Sequence, residues 1–117
     1  MDNIELITRM ALDFRDKRDW KQFHSLKNLG ISLAIESAEL LELLQWKTDS
    51  EIDSLIMDDE FKEQLGFECA DILIYLLLIS EKAGVDIAAV AKKKIDLNQN
   101  RYPVEKAKGN AKKHTEL

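Results

Sequence analysis

The chain has 117 residues, of which 45% are apolar and 33% are charged, and this balance predicts one globular domain and excludes a disordered chain. A net charge of −5 argues against binding to bulk nucleic acid, and the longest apolar run, 72–79, is too short to span a bilayer, so we expect no membrane partner. A single cysteine, Cys69, excludes an internal disulfide framework, and with no signal-peptide pattern at the N-terminus it leads us to expect a cytoplasmic protein.

Apolar residues repeat at helical spacing along most of the chain, and one proline and four glycines favour long helices over β structure. In chain order, the pattern predicts a helix over 3–17, an ordered aromatic loop over 19–25, a long helix over 27–46, a short helix through 57, a second long helix over 59–83 and a last helix over 87–100. We expect Ser50 with Asp53 to cap the short helix, Gly84 to end the second long helix, and Asp86 to cap the last one. The sequence therefore predicts an all-α fold, a bundle of four to five helices.

Positive charge is concentrated near the C-terminus. Residues 92–113 carry a net charge of +6, whereas the rest of the chain carries −11. We expect a folded domain over 1–106 and a basic, flexible tail over 107–117.

Each of the two long helices directs a pair of carboxylates at the core. Glu36 lies in the middle of the apolar stripe of the first long helix, and Glu39, three residues later, lies at its edge. Glu68 lies in the middle of the apolar stripe of the second long helix, with Asp71 at its edge. The pattern therefore predicts that four acids meet where the two helices pack together.

Four ionised carboxylates in a core need positive charge among them, because burying each one costs several kcal/mol and they also repel one another. Core salt bridges are one alternative, although neither stripe carries enough basic residues, and protonation of the acids is another. A ferritin-like di-iron site needs Glu-x-x-His pairs, and neither His24 nor His114 lies three residues after a glutamate. A divalent metal cluster explains the pattern best, and oxygen ligands alone favour Mg²⁺ or Mn²⁺.

The two acid motifs also resemble a known family signature. Glu36-Ser-Ala-Glu39, a spacer of 28 residues and Glu68-Cys-Ala-Asp71 resemble the E-x-x-E…E-x-x-D signature of the MazG-like all-α NTP pyrophosphohydrolases. Neighbouring strings are most similar to the dCTP pyrophosphatase branch, namely Arg18-Asp-Trp-Lys-Gln-Phe-His24, Lys27-Asn28-Leu29, Gln45-Trp46, Asp71-Ile-Leu-Ile-Tyr75, and Lys94 through Asn98 to Arg101-Tyr102-Pro103. The similarity extends from about residue 18 to residue 106.

The resemblance implies Mg²⁺-dependent hydrolysis of (deoxy)nucleoside triphosphates to the monophosphate and pyrophosphate, a reaction of nucleotide-pool housecleaning. The catalytic and metal ligands would be Glu36, Glu39, Glu68 and Asp71. The phosphate-side cations would be Lys94 and Arg101, and further polar contacts to the nucleotide would come from Asn98 and Tyr102. The base and sugar pocket would be formed by Trp20, Lys21, Gln22, Phe23, His24, Trp46 and Tyr75. Some dCTP-preferring relatives have a histidine where this chain has Ala11, so we expect a leaning towards dCTP with acceptance of other nucleotides.

The apolar stretch 72–79 predicts an oligomer, since a helix that is apolar on all sides must be covered in every direction. The resemblance implies a homotetramer built from two dimers, with sites between subunits. Two alternative functions stay open. One is another enzyme of the superfamily, a dimeric dUTPase-like enzyme or a phosphoribosyl-ATP pyrophosphohydrolase. The other is a non-catalytic helical interaction module, against which the four intact acids argue.

Overall fold

The computed structural model describes all 117 residues and contains α-helices and short 3₁₀ turns but no β-strand. The helices are α1 Asn3–Lys17, α2 Leu26–Leu44, α3 Asp49–Leu55, α4 Asp59–Ala83, α5 Ile87–Arg101 and α6 Val104–Ala107. The 3₁₀ turns are Lys21–Phe23 and His114–Glu116. The all-α prediction is confirmed, with one four-residue helix more than the four to five expected. No helix combines the length and the apolar character needed to cross a bilayer.

The chain forms two compact units, Met1–Gly84 and Val85–Leu117. In the first unit, α4 is the central element, because both α2 and α1 pack against it. The buried apolar residues are Leu29 of α2 and Phe61, Leu77 and Leu78 of α4. The pairing of α2 with α4 brings together the two helices that carry the acid motifs.

The bounds of α1, α4 and α5 follow the prediction, and at α4 and α5 the expected Gly84 and Asp86 act as predicted. A carboxylate oxygen of Asp2 accepts a hydrogen bond from the Glu5 backbone N–H at 2.8 Å and caps α1. Gly84 adopts the left-handed conformation (φ +70°) that ends α4, and Asp86 caps α5 through the Ala89 N–H. These bounds agree with the sequence prediction to within one residue.

The start of α3 differs from the prediction. The helix is capped by Thr48 and not by Ser50, and the partner of the cap is Glu51. The Thr48 hydroxyl accepts from the Glu51 N–H at 3.1 Å, and the Glu51 carboxylate accepts from the Thr48 N–H at 3.2 Å. This reciprocal pair satisfies two free donors at once, so the helix begins at Asp49. The helix ends at Leu55, before the predicted Met57.

The second unit contains α5 and α6 and the last ten residues. Helix α6 crosses the expected domain boundary at residue 106, and a 3₁₀ turn lies within the expected tail. The ring of His114, in that turn, contacts the ring of Tyr102 edge-on at a centroid distance of 5.7 Å. The flexibility of residues 107–117 stays a prediction.

Candidate active site

The four acids predicted from the sequence lie on the two helices that pack together in the first unit. Glu36 and Glu39 belong to α2, whereas Glu68 and Asp71 belong to α4, and all four are half-buried. A carboxylate oxygen from each of Glu36, Glu39 and Glu68 lies within 4.8 Å of the other two. The structure therefore brings three of the four acids into one cluster, and Asp71 follows Glu68 by one helical turn.

Two carboxylate oxygens of this cluster, Glu36 Oε2 and Glu68 Oε2, are buried and have no hydrogen-bond partner. Burial first, then the neighbouring Glu39 carboxyl group and the charge of Asp71, raise the pKa of Glu36 to about 7. Burial, followed by the charge of Glu39, also raises the pKa of Glu68. Both shifts have the same meaning: the negative forms of these acids lack compensating positive charge.

Within the unit Met1–Gly84, no lysine or arginine pairs with these acids. The three ion pairs in the structure are Arg15–Asp16, Arg15–Glu81 and Lys17–Asp13. The alternative of salt bridges within the core is therefore wrong for this chain. A divalent cation fits the cluster, because the donors are all carboxylate oxygens, three of them converge within 4.8 Å, and two oxygens lack any partner.

An apolar cavity of about 430 Å³ lies beside the acid cluster, and its volume is typical of a small-molecule site. Glu36 and Asp71 form part of its wall. Helices α1 and α4 supply most of the apolar lining, including Met10, Phe14 and Leu78. The arrangement places a mainly apolar compartment next to a group of acids.

The predicted base-pocket residues separate into two groups. Trp20, His24 and Tyr75 line the cavity. Lys21 and Gln22, which lie between the first two along the chain, are exposed and do not line it. The last two predicted residues, Phe23 and Trp46, also lie outside the cavity and are 60% and 91% exposed.

The loop after α1 positions Trp20 and His24 through backbone geometry. Asp19 adopts a left-handed conformation (φ +53°), and the Trp20 N–H donates to the Arg15 carbonyl oxygen at 3.1 Å. The Trp20 ring then meets the Phe14 ring edge-on at a centroid distance of 5.8 Å. The loop therefore turns back onto α1 and presents an aromatic ring to the cavity.

His24 is half-buried at the end of this loop. Its Nδ1 atom is buried and has no hydrogen-bond partner. Burial first, and then the charges of Arg15 and Lys82, lower the pKa of His24, so the ring is neutral at neutral pH. The free nitrogen of a neutral imidazole donates a hydrogen bond to a ligand when it carries the proton and accepts one from a ligand when it does not.

Trp46 has an unusual backbone conformation and almost no cover. Helix α2 was expected to reach this residue, but it ends at Leu44, because Gln45 is extended and Trp46 is left-handed (φ +68°). The indole is thereby directed into solvent within this chain. Its role in base binding stays a prediction.

The predicted phosphate-side residues lie in the second unit. Lys94, Asn98 and Arg101 are spaced by four and three residues on α5, so they share one face of that helix. Tyr102 follows directly as the residue that ends the helix. Their shared face is compatible with one ligand, and their contacts to nucleotide stay a prediction.

Arg15 lines the cavity but was not singled out from the sequence. A signal was present, because Arg15 lies four residues after Ala11 and eight after Ile7, on the apolar face of α1. The same argument that identified the acids on α2 and α4 applies to this arginine on α1.

Comparisons with known proteins agree with this geometry. The family model described as MazG-like matches residues 31–117. Human dCTP pyrophosphatase 1 is 39% identical over 114 residues, which cover 97% of this chain and 67% of the human protein, and its bovine counterpart is 40% identical over a similar span. A crystal structure of a pyrophosphatase from Archaeoglobus fulgidus superposes with a TM-score of 0.80 at 35% identity, covering 88% of this chain and 94% of that one. With the acid motifs inside the matched region and nearly the whole chain covered, the protein belongs to the MazG-like family.

Proposed function

We propose that this protein is a Mg²⁺-dependent nucleoside triphosphate pyrophosphohydrolase that prefers dCTP and releases dCMP and pyrophosphate. The observation that carries the proposal is the juxtaposition of an unneutralised acid cluster with an aromatic cavity of about 430 Å³. A triphosphate chelating a cation suits the acids, and a flat apolar ring suits the cavity. The similarity to dCTP pyrophosphatase 1 and to an archaeal pyrophosphatase supports the same reaction.

The ligands of the cation in this proposal are Glu36, Glu39, Glu68 and Asp71. Mn²⁺ presents the same preference for oxygen ligands and serves as the alternative ion. When bound, the cation supplies neutralisation of phosphate charge, alignment of the phosphates and activation of the attacking water.

The protein side chains supply the remaining requirements. Water attacks the α-phosphorus, the bond from that atom to the bridging oxygen breaks, and pyrophosphate leaves with the electron pair. A carboxylate of the cluster accepts the proton lost by the water. Trp20 and Tyr75 hold the base and sugar in the cavity, where stacking on an aromatic ring contributes about 1–3 kcal/mol per base. Lys94 and Arg101 neutralise the outer phosphates.

The proposed enzyme is a homo-oligomer, a tetramer of two dimers. Exposed apolar side chains support this, since Ile31, Ile35 and Leu41 lie on α2 and are 49%, 53% and 65% exposed. Leu73 and Leu76 lie in the apolar stretch 72–79 of α4, and each is 37% exposed. Apolar surface of this extent is typical of protein–protein contacts.

A nucleotide panel tests the proposed reaction. Purified protein is incubated with each of the common NTPs and dNTPs in Mg²⁺, and monophosphate plus pyrophosphate is resolved from diphosphate plus phosphate. We expect pyrophosphate release, fastest with dCTP, and loss of this activity in Glu36→Gln and Glu68→Gln proteins that remain folded. Exposed Glu63→Gln on α4 is the matched control and retains activity. Release of phosphate instead, or turnover surviving both substitutions, would show that the assignment is wrong.

A further inference from the structure

Arg15 is the one charged residue that is buried in this protein. It is 7% exposed and forms part of the cavity wall, one helical turn after Ala11. A buried guanidinium is costly unless its N–H groups are hydrogen-bonded. Its partners therefore indicate whether the residue serves the fold alone or a ligand as well.

The partners within the chain leave part of the guanidinium group unused. Nε donates to an Asp16 carboxylate oxygen at 2.8 Å, and Nη2 lies 2.7 Å from the same oxygen. Nη1 makes no hydrogen bond in the chain, and its nearest carboxylate oxygen, on Glu81, is 3.9 Å away. Asp16 anchors one edge of the guanidinium plane, so the orientation of the remaining donors is fixed.

A second polar residue of the same cavity has a buried atom without any partner. His24 lines the cavity, and its Nδ1 atom is buried without a partner. Arg15 and His24 both line this cavity, and after burial the positive charge of Arg15 is one of the causes that lower the pKa of His24. The cavity wall thus contains an arginine whose Nη1 makes no hydrogen bond and a histidine with an unpaired ring nitrogen, among residues that are otherwise apolar or aromatic apart from Glu36 and Asp71.

Resting on the function proposed above, we infer that Arg15 determines which pyrimidine the cavity accepts, by donating to the adjacent ring nitrogen and carbonyl oxygen of cytosine. Cytosine presents two neighbouring acceptors, N3 and O2, and next to them an exocyclic amino group that can donate to neutral His24. Uracil and thymine present an N3–H between their carbonyl groups, and this donor opposes the donors of Arg15. A site with buried hydrogen-bonding groups rejects a ligand that leaves those groups unpaired.

The test compares kcat/KM for dCTP, dUTP and dTTP in the wild type, Arg15→Met, Arg15→Lys and Glu81→Gln. Met keeps length and apolar packing without donors, and Lys keeps the charge without the parallel N–H groups. Glu81→Gln is the matched control. Glu81 forms an ion pair with Arg15 but lies outside the cavity, so this change removes the charge of the partner without altering the cavity lining. We expect Arg15→Met to lower the ratio of kcat/KM for dCTP to kcat/KM for dUTP by roughly ten- to a hundred-fold, mostly because kcat/KM for dCTP falls. Arg15→Lys is expected to lower this ratio by a smaller factor, and Glu81→Gln is expected to preserve it.

Several results would overturn the inference. Equal rates of dCTP and dUTP hydrolysis in the wild type would do so, as would a ratio in Arg15→Met that stays within about twofold of the wild type. Parallel losses for all nucleotides in both Arg15→Met and Glu81→Gln would show that the residue only ties α1 to α4. Where Arg15→Met does not fold by circular dichroism, an unchanged ratio in Arg15→Lys decides against the inference. Wild-type protein that releases no pyrophosphate from any nucleotide would instead contradict the proposed function itself.

Discussion

At the scale of single residues, the unsatisfied polar atoms mark the site. Three buried side-chain atoms in the chain lack a hydrogen-bond partner, and they belong to His24, Glu36 and Glu68. Buried polar groups are nearly always paired in folded proteins, and each exception requires an explanation. Here all three belong to the acid cluster or to the cavity beside it, so a ligand that bridges the two would satisfy them together.

The raised pKa of Glu36 predicts a pH dependence of stability in the metal-free protein. Its pKa increases from 4.5 to about 7 on folding, so the folded state binds the proton more tightly than the unfolded state does. The resulting stabilisation is complete below the unfolded value and is lost as the pH rises through about 7. In EDTA, we therefore expect the free energy of unfolding to fall between pH 5 and pH 8, by less in Glu36→Gln than in the wild type.

Urea denaturation at the two pH values measures this difference, with Glu63→Gln as the exposed control. Adding Mg²⁺ at the higher pH restores stability, because a ligand that binds only the folded state stabilises it, by about 2.7 kcal/mol at one hundred times its Kd. A wild-type stability that is independent of both pH and Mg²⁺ would contradict the prediction.

At the scale of helices, the sequence predicted those features that depend on local chemistry. Gly84 ends α4 and Asp86 caps the start of α5 as predicted, because these residues act on the backbone within a single turn. The acids were identifiable because a carboxylate in an apolar stripe is visible in the spacing alone. Thr48 and Ser50 each have an acid three residues later, and the box at Thr48 was identifiable because its acid, Glu51, is a glutamate, whereas Ser50 is followed by Asp53.

The features that the sequence did not predict depend on contacts between elements. The cavity exists because a left-handed Asp19 turns the loop back onto α1, and no pattern of apolar residues specifies this turn. Arg15 was missed because a basic residue in a stripe can also extend to solvent with its charged end. Its burial follows from the packing of α1 against α4, which is a tertiary property.

Gly66 offers a test of helix energetics in α4. A Cβ atom at this position meets nothing within 4 Å, and alanine is favoured over glycine in a helix by about 1 kcal/mol. We expect Gly66→Ala to raise the free energy of unfolding by roughly 0.5–1 kcal/mol. Gly84→Ala is the matched control, since its surroundings are equally open but its φ of +70° strains any other residue.

The denaturation midpoint should therefore rise above that of the wild type in Gly66→Ala and fall below it in Gly84→Ala. A loss of stability in Gly66→Ala would contradict the prediction and would indicate that a second copy of the chain packs closely at this position.

At the scale of the whole molecule, we expect two parts of the basic segment 92–113 to differ in function, namely Arg101 and the lysines after Lys108. Arg101→Ala should lower kcat/KM for dCTP by an amount equivalent to about 1.5–3 kcal/mol, the range for a charge-assisted hydrogen bond. Truncation after Lys108 removes later lysines that are all exposed, and it should change kcat/KM much less. Steady-state kinetics of the two proteins measure this contrast. Equal losses would show that the tail itself covers the site.

The exposed apolar face of α2 leads to the last prediction, which concerns assembly. Ile31, Ile35 and Leu41 present large apolar surface to solvent in a single chain, and burial of such surface is worth about 25 cal/mol per Å². We therefore expect light scattering to give an oligomeric mass for the wild type, and four times the chain mass if the tetramer is correct.

A charge placed in this face should dissociate the assembly, because an ionised carboxylate is costly to bury. Ile35→Glu is expected to shift the mass towards the monomer at micromolar concentration and to lower the melting temperature with it. Gln64→Glu adds the same charge at an exposed polar position of α4 and is expected to leave the mass unchanged. A wild-type protein that stays monomeric at high concentration, or an Ile35→Glu protein with unaltered mass, would show that this face is not the interface. Since Trp46 is 91% exposed in the isolated chain, loss of activity together with loss of the oligomer would further indicate that each site is completed by a neighbouring copy.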